Sequence, residues 1–176
     1  MSSALFPAQI LIIRHGEKPG DPGTDNSADG PDLSTRGYER AGALAPYIPA
    51  TFTKPDFLFA TQASASSNRP VETITPLALA INISINSDYD EKHYAKLASD
   101  ILKNEQYAGK TLLICWHHGT IPDLTKALLG KPPSDKWPST VFDRVWQIAY
   151  PTANTNSKDL PVTNIPQKLL YGDQDQ

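Results

Sequence analysis

Gln9-Ile10-Leu11-Ile12-Ile13-Arg14-His15-Gly16-Glu17 carries a short, almost continuous apolar run straight into an arginine, a histidine and a glycine. An isoleucine-rich run with no polar alternation predicts a central strand, Gln9 to Arg14, buried on both faces. A second run of the same kind, Thr111 to Trp116 (TLLICW), again delivers histidines at its end, His117 and His118. A strand buried on both faces needs helices above and below it, and the rest of the chain supplies helical patterns between the strand-like runs.

After the first strand, His15 to Pro31 is rich in Gly, Pro, Asp and Ser without a period, which predicts a long surface loop. Ser34 can cap a helix running through Gly37, Ala41, Leu44 and Ala45 to about Tyr47, with Pro49 stopping it. Pro55 to Ala60 (PDFLFA) predicts a second strand, and Thr61 to Asn68 a polar loop. Pro70 suits the start of a helix carrying Val71, Ile74 and Leu77, with Pro76 as a kink or early end. A short strand over Ile81 to Ile85 and a helix over Glu91 to Leu102 precede Thr111 to Trp116. Pro122 and Asp123 open a further helix that ends at Gly130, with Thr120 as a candidate cap. Arg144 to Tyr150 and Gln167 to Leu170 read as closing strands across a polar loop, and the final DQDQ as a frayed tail. This alternation predicts one α/β domain over residues 1–176 with a mainly parallel sheet. Ligands of such sheets bind beyond the carboxyl ends of the strands, so Arg14-His15, Thr61-Gln62 and Trp116-His117 should share one rim.

Composition narrows the function. The chain has 176 residues, 39% hydrophobic and 20% charged, with a formal net charge of −3, so a globally basic nucleic-acid or membrane binder is excluded. Five arginines stand against eleven lysines, and Arg14, Arg36, Arg40 and Arg69 all fall in the first seventy residues. A single cysteine, Cys115, cannot build an internal disulfide or a structural zinc site alone, which fits a reducing compartment. The opening MSSALFPAQILII lacks a basic flank and is interrupted by Pro7, so it reads as a strand and not a signal peptide. No run approaches the roughly 18 apolar residues of a membrane span, and the expectation is a soluble, cytoplasmic protein.

Four histidines exist, at 15, 93, 117 and 118, and two strands end at three of them. Ser67-Asn68-Arg69-Pro70-Val71-Glu72-Thr73 places Arg69 at the mouth of a helix, where free backbone N–H groups and a guanidinium would both meet an oxyanion. Between these lies Leu33-Ser34-Thr35-Arg36-Gly37 with Arg40-Ala41. A neutral imidazole is a good nucleophile near pH 7, and arginines that hold equatorial phosphoryl oxygens lower the barrier electrostatically. No metal or other cofactor is needed for that chemistry. Cys115 and His117, two apart on a strand, give only a weak metal signal, since neither H-E-x-x-H nor C-x-x-C is present.

The order R-H-G-E, then L-S-x-x-G with R-A, then R-P-x-E-T, then an apolar strand ending in H-x-G-T, resembles the histidine phosphatase superfamily. The likeness runs from Ile10 to about Leu129. It implies the phosphoglycerate mutase-like fold, a three-layer α/β/α sandwich with a mainly parallel central sheet. It also implies His15 as the phosphoryl-accepting nucleophile, with Arg14, Arg69 and His117 completing the phosphate pocket. His117 fits the family histidine better than His118, which then falls on the pocket wall as a substrate contact or on an exposed loop.

The family supplies a leaving-group acid from the segment after the helix of Arg69, where Asp88, Asp90 and Glu91 stand. Asp90 and Glu91 are favoured, against the plain alternative of an acidic helix start. Glu17 is a further acid candidate, or an ion-pair partner for an arginine. Gly16, Thr61 and Gln62 are candidate substrate contacts, Arg36 and Arg40 are expected on the surface or a helix face, and His93 has no motif around it. The leading expectation is a metal-independent phosphatase acting on a small phosphorylated substrate or a phosphohistidine protein. A mutase and a phosphate-binding module without turnover are the alternatives.

Overall fold

The computed structural model describes residues 6–24, 30–152 and 158–174. The first five residues of the N-terminal run, residues 25–29 of the long loop, 153–157 of the late polar loop and 175–176 of the tail lie outside the described residues. No helix among the described residues is long and apolar enough to cross a membrane.

Strand β1 (Gln9–Arg14) forms as the sequence predicts, and Ile10, Leu11, Ile12 and Ile13 are fully buried. It lies between β4 (Thr111–Trp116), its parallel neighbour, and β6 (Arg144–Ala149), which runs antiparallel to it. β2 (Phe57–Thr61) flanks β4, and β3 (Ile85–Tyr89) closes that edge. β7 (Leu160–Pro166) and the two-residue β5 (Gly130–Lys131) complete the order β3-β2-β4-β1-β6-β7-β5. Only the β1–β6 and β6–β7 pairs are antiparallel, so the sheet is mainly parallel, as expected.

Side chains alternate across a strand, so β1 feeds two cores. Leu11 and Ile13 pack with Leu113 and Cys115 against α1 (Thr35–Thr51) and α2 (Arg69–Ile81). Ile10 and Ile12 pack with Leu112, Ile114 and Trp116 against α3 (Tyr94–Lys103) and α4 (Ile121–Ala127). Burying each of these aliphatic side chains contributes on the order of 1.5–3 kcal/mol. The result is the three-layer α/β/α arrangement.

Several boundaries differ from the sequence reading. α1 continues through Pro46 and Pro49 to Thr51, because Leu44 and Ile48 are buried and Gly42, whose carbonyl loses its partner to Pro46, is exposed to solvent. α2 likewise passes Pro76 and ends at Asn82, whose φ of 55° is the left-handed helix stop. The predicted strand at Ile81 to Ile85 is therefore displaced, and β3 begins at Ile85. Glu91–His93 is a 3-10 turn ahead of α3. Gly130 belongs to β5, and Leu129 takes the positive φ of 66° that ends the α4 segment. The last long strand is Leu160–Pro166 and not Gln167 to Leu170; Gln167 instead turns inward and donates to the Arg144 carbonyl at 3.0 Å.

Candidate active site

Parallel pairing in register sets Arg14 opposite Trp116, so the next residue on each strand, His15 and His117, emerges side by side. Their rings meet edge to face with centroids 5.1 Å apart. His15 N–H still donates to the Trp116 carbonyl at 3.2 Å, which extends the ladder one residue into the loop and fixes the backbone there. The His15 ring is buried, and its Nδ1 lies 2.7 Å from the Gly16 carbonyl oxygen. An acceptor at that distance holds the proton on Nδ1 and leaves the lone pair on Nε2.

The loop that follows is clamped from two helices. Gly16 N–H donates to Thr73 Oγ1 at 2.8 Å, and that hydroxyl donates to the Arg69 carbonyl at 2.7 Å, tying the loop to the first turn of α2. The Glu17 carbonyl accepts from Ser34 N–H at 2.9 Å and from Ser34 Oγ at 3.0 Å, while Ser34 also caps α1 by accepting from Gly37 N–H. Gly37 is a position of enforced close approach, since a Cβ there would collide with the Glu17 carbonyl. A Cβ at Gly16 would in turn press on the Gly37 carbonyl at 3.0 Å. The L-S-x-x-G and R-P-x-E-T segments are thus the parts that seat the R-H-G-E loop.

Glu17 turns away from the histidines. Its carboxylate pairs with Arg40 Nη2 at 2.7 Å and Arg36 Nε at 3.2 Å. Arg40, expected on a surface or helix face, is instead 1% exposed and also grips Asp173 with two bonds, at 2.7 and 3.0 Å. Of the two roles open to Glu17, the structure gives it the ion pair.

A cavity of about 230 Å³ gathers Arg14, His15, Lys18, Arg69, Glu91, His117, His118 and Gly119. Arg69, first residue of α2, donates from Nη1 to the Gly30 carbonyl at 2.9 Å. Glu91 enters through Thr120, whose Oγ1 lies 3.4 Å from Glu91 Oε1 and so forms no cap on α4. Asp90 does not line the cavity: its Oδ1 caps the 3-10 turn by accepting from Lys92 and His93 N–H, and its other oxygen pairs with His93. Asp88 is exposed. Thr61 and Gln62 end β2 on the same rim without lining the cavity; Thr61 is buried and Gln62 exposed. Lys18, which lines the cavity, carries no motif. Among the described residues, no group of three or more His, Cys, Asp and Glu could hold a metal ion.

Burial first, then the neighbouring guanidiniums, governs the imidazoles. His15 is held well below its ordinary range by desolvation and by Arg14, His117 and Arg69, against the opposing bond to Gly16. His117 is pushed down to about 4 by burial, Arg69 and Arg14, and His118 is lowered by burial, with Arg14 and His117 adding. Burial also draws Arg14 down to about 10, which leaves it cationic at neutral pH. The cavity therefore presents neutral imidazoles beside fixed cations.

An imidazole that titrates near 6.5 in the unfolded chain and lower in the fold takes its proton first when unfolded. Its stabilising effect is complete above about pH 6.5 and is lost as pH falls toward about 4, the His117 value. The unfolding free energy from urea titrations is expected to drop over that window, by up to about 1.4 kcal/mol per pH unit for each such imidazole. His117→Gln should flatten the drop; an unchanged slope would contradict the assignment.

A larger cavity of about 690 Å³ lies behind Glu17, against Arg36, Asp143 and Tyr171 to Gln174. Its charged side chains are already matched: Arg36 and Arg40 bind Glu17 and Asp173, and Asp143 binds Arg144. The smaller cavity is the one that gathers the imidazoles with Arg14 and Arg69.

No protein-family model matches the chain, and no curated protein matches it. Solved structures do. The protein histidine phosphatase SixA complexed with tungstate is similar with a TM-score of 0.56 and 16% identity, over 90% of this chain and 97% of that one. A protein of Agrobacterium tumefaciens assigned as the phosphohistidine phosphatase SixA gives 0.54 and 18%, over 82% and 92%. A mycobacterial glucosyl-3-phosphoglycerate phosphatase gives 0.52 and 13%, over 90% and 97%. At these identities the likeness is one of fold, and it is the phosphoglycerate mutase-like fold that the four sequence motifs imply.

Proposed function

We propose that the protein is a histidine phosphatase, a hydrolase of phosphoric monoesters or phosphoramidates that works through a phosphohistidine on His15. The observation that carries this reading is the neutral, tautomer-fixed His15 ring, with Nδ1 on the Gly16 carbonyl, in a cavity shared with Arg14, Arg69 and His117. The similar structures, a protein histidine phosphatase and a glucosyl-3-phosphoglycerate phosphatase, support the same substrate chemistry.

His15 Nε2 donates its lone pair to phosphorus as the bond from phosphorus to the leaving oxygen breaks. Arg14, Arg69 and His117 hold the three equatorial oxygens, where negative charge collects. The leaving oxygen takes a proton from the Glu91 carboxyl group. Water then attacks phosphorus, Glu91 takes the proton from that water, and the P–N bond breaks to return His15 and release phosphate. Because side-chain cations meet the phosphoryl charge, hydrolysis should persist in EDTA.

Glu91 is the acid in this reading because it alone of Asp88, Asp90 and Glu91 lines the cavity. With p-nitrophenyl phosphate, whose leaving group needs little protonation, Glu91→Gln is expected to lose less than about tenfold in kcat/KM, which reports only the steps up to formation of the phosphoenzyme. With an alkyl phosphate the loss should reach roughly 10²–10⁴-fold. Asp90→Asn should leave both rates nearly unchanged. Equal losses on both substrates would remove Glu91 from the role, and no phosphate release from any of them would remove the phosphatase reading itself.

A further inference from the structure

Arg14 is also held by a loop that no motif marked. Arg14 Nη1 donates to two carbonyls, Ser139 at 2.6 Å and Val141 at 3.0 Å. Its guanidinium carbon lies 3.7 Å from the centre of the Phe142 ring, a cation over an aromatic face. Phe142 is 4% exposed and also reaches His15, with ring centroids 6.5 Å apart. The two carbonyls converge because Pro138 to Val141 form a turn, closed by Val141 N–H on the Pro138 carbonyl at 3.1 Å. Trp137, buried and tilted at 42° against Trp146 of β6 with ring centroids 4.8 Å apart, donates its Nε1–H to the same Val141 carbonyl at 2.8 Å.

We infer that Trp137 and Phe142 are positioning residues, forming a clasp that presents the free edge of Arg14 to the phosphoryl group. A planar guanidinium has five N–H donors, and the two on Nη1 are taken by the carbonyls. Arg14 Nε is buried with no protein partner, an arrangement that costs stability unless an acceptor meets it. With one nitrogen pinned and one face covered, the plane of the fork is fixed before substrate arrives, and less freedom is lost on binding an oxyanion. Neither residue touches phosphate in this scheme. Both act through Arg14, and the inference rests on the reading that Arg14 binds phosphate.

Inorganic phosphate is the probe, titrated calorimetrically up to tens of millimolar into wild type, Phe142→Leu, Arg14→Ala and the double variant. Phe142→Leu is expected to weaken phosphate roughly 5- to 10-fold in the wild-type background and to change nothing once Arg14 is alanine. Trp137→Phe, which keeps a ring against Trp146 and removes the donor to Val141, should give a smaller loss that also vanishes with Arg14→Ala. Phe142→Tyr should restore affinity. A purely structural role would lower the melting temperature and weaken phosphate equally in both backgrounds, or not at all, and either result overturns the clasp. If wild type itself failed to bind phosphate, the phosphatase reading would fall and take the clasp with it. Binding lost in Arg14→Ala but indifferent to Phe142 and Trp137 would overturn the clasp alone.

Discussion

His15→Ala is expected to fold, to bind inorganic phosphate, and to hydrolyse p-nitrophenyl phosphate slower by on the order of 10⁴-fold or more. Folding should survive because the ring is uncharged and its partner, the Gly16 carbonyl, stays within a loop held by Thr73 and Ser34. Phosphate should still bind because the fixed charge belongs to Arg14 and Arg69. The turnover loss should be that large because the covalent route is closed, while the oxyanion contacts remain. An acid-labile, base-stable phosphoenzyme, trapped from wild type by rapid quenching, should disappear in His15→Ala. His117→Ala makes the contrast. It removes one holder of a developing charge, costs roughly 10²–10³-fold, and still yields the phosphoenzyme at a slower rate. If His15→Ala turned over within tenfold of wild type, or if the phosphoenzyme persisted, the nucleophile would be another residue. His117, with its ring 5.1 Å away, would be the first to test.

The cavity was legible in the sequence wherever strand and motif coincide. β1 and β4 are continuous apolar runs, and their parallel register alone places His15 beside His117. Arg69 was legible as the residue ahead of a proline at a helix start. What escaped the sequence depends on partners far along the chain. Arg40 appears as an ordinary arginine on α1 until Asp173, 133 residues later, is brought against it. Phe142 and Lys18 stand in irregular segments with no period to mark them. α1 runs past Pro49 and α2 past Pro76 because burial of Leu44, Ile48 and Leu77 outweighs the lost backbone bonds. Leu160-Pro161-Val162-Thr163-Asn164-Ile165-Pro166 reads as a loop but forms β7. Two prolines are tolerated there because Pro161 precedes the pairing with β6, which begins at Val162, and Pro166 is the last residue of the strand. The choice among Asp88, Asp90 and Glu91 could not be made from spacing, since it depends on which carboxylate the 3-10 turn uses for its own cap.

Arg40→Met should be the most destabilising single change outside the hydrophobic layers. Arg40, Glu17 and Asp173 have side chains only 2–3% exposed. Arg36, 21% exposed, is the second cation, at 3.2 Å from Glu17 and 3.7 Å from Asp173. Burial alone would lower the Arg40 guanidinium, but its bonds to Asp173 and Glu17 raise it instead, and Asp173 is lowered by Arg40 against the opposing effect of burial. Methionine matches the side-chain volume and leaves two buried carboxylates facing one partly exposed arginine. Breaking a buried pair from one side costs about 3–5 kcal/mol, which for a chain of this length lowers the melting temperature by roughly 6–20 °C. Removing the charges together should recover most of that loss, so Glu17→Gln with Arg40→Met and Asp173→Asn is expected to melt well above Arg40→Met alone. A drop under about 2 °C for Arg40→Met would mean that water reaches the cluster. Activity gives the second reading of the same variant. Glu17 directly follows Gly16, so a loosened cluster should lower kcat at temperatures where Arg40→Met is still folded, and the triple variant separates the two effects. If stability returns without kcat, the charged clamp sets the geometry of the His15 loop; if both return together, packing around Glu17 is sufficient and the charges serve only the fold.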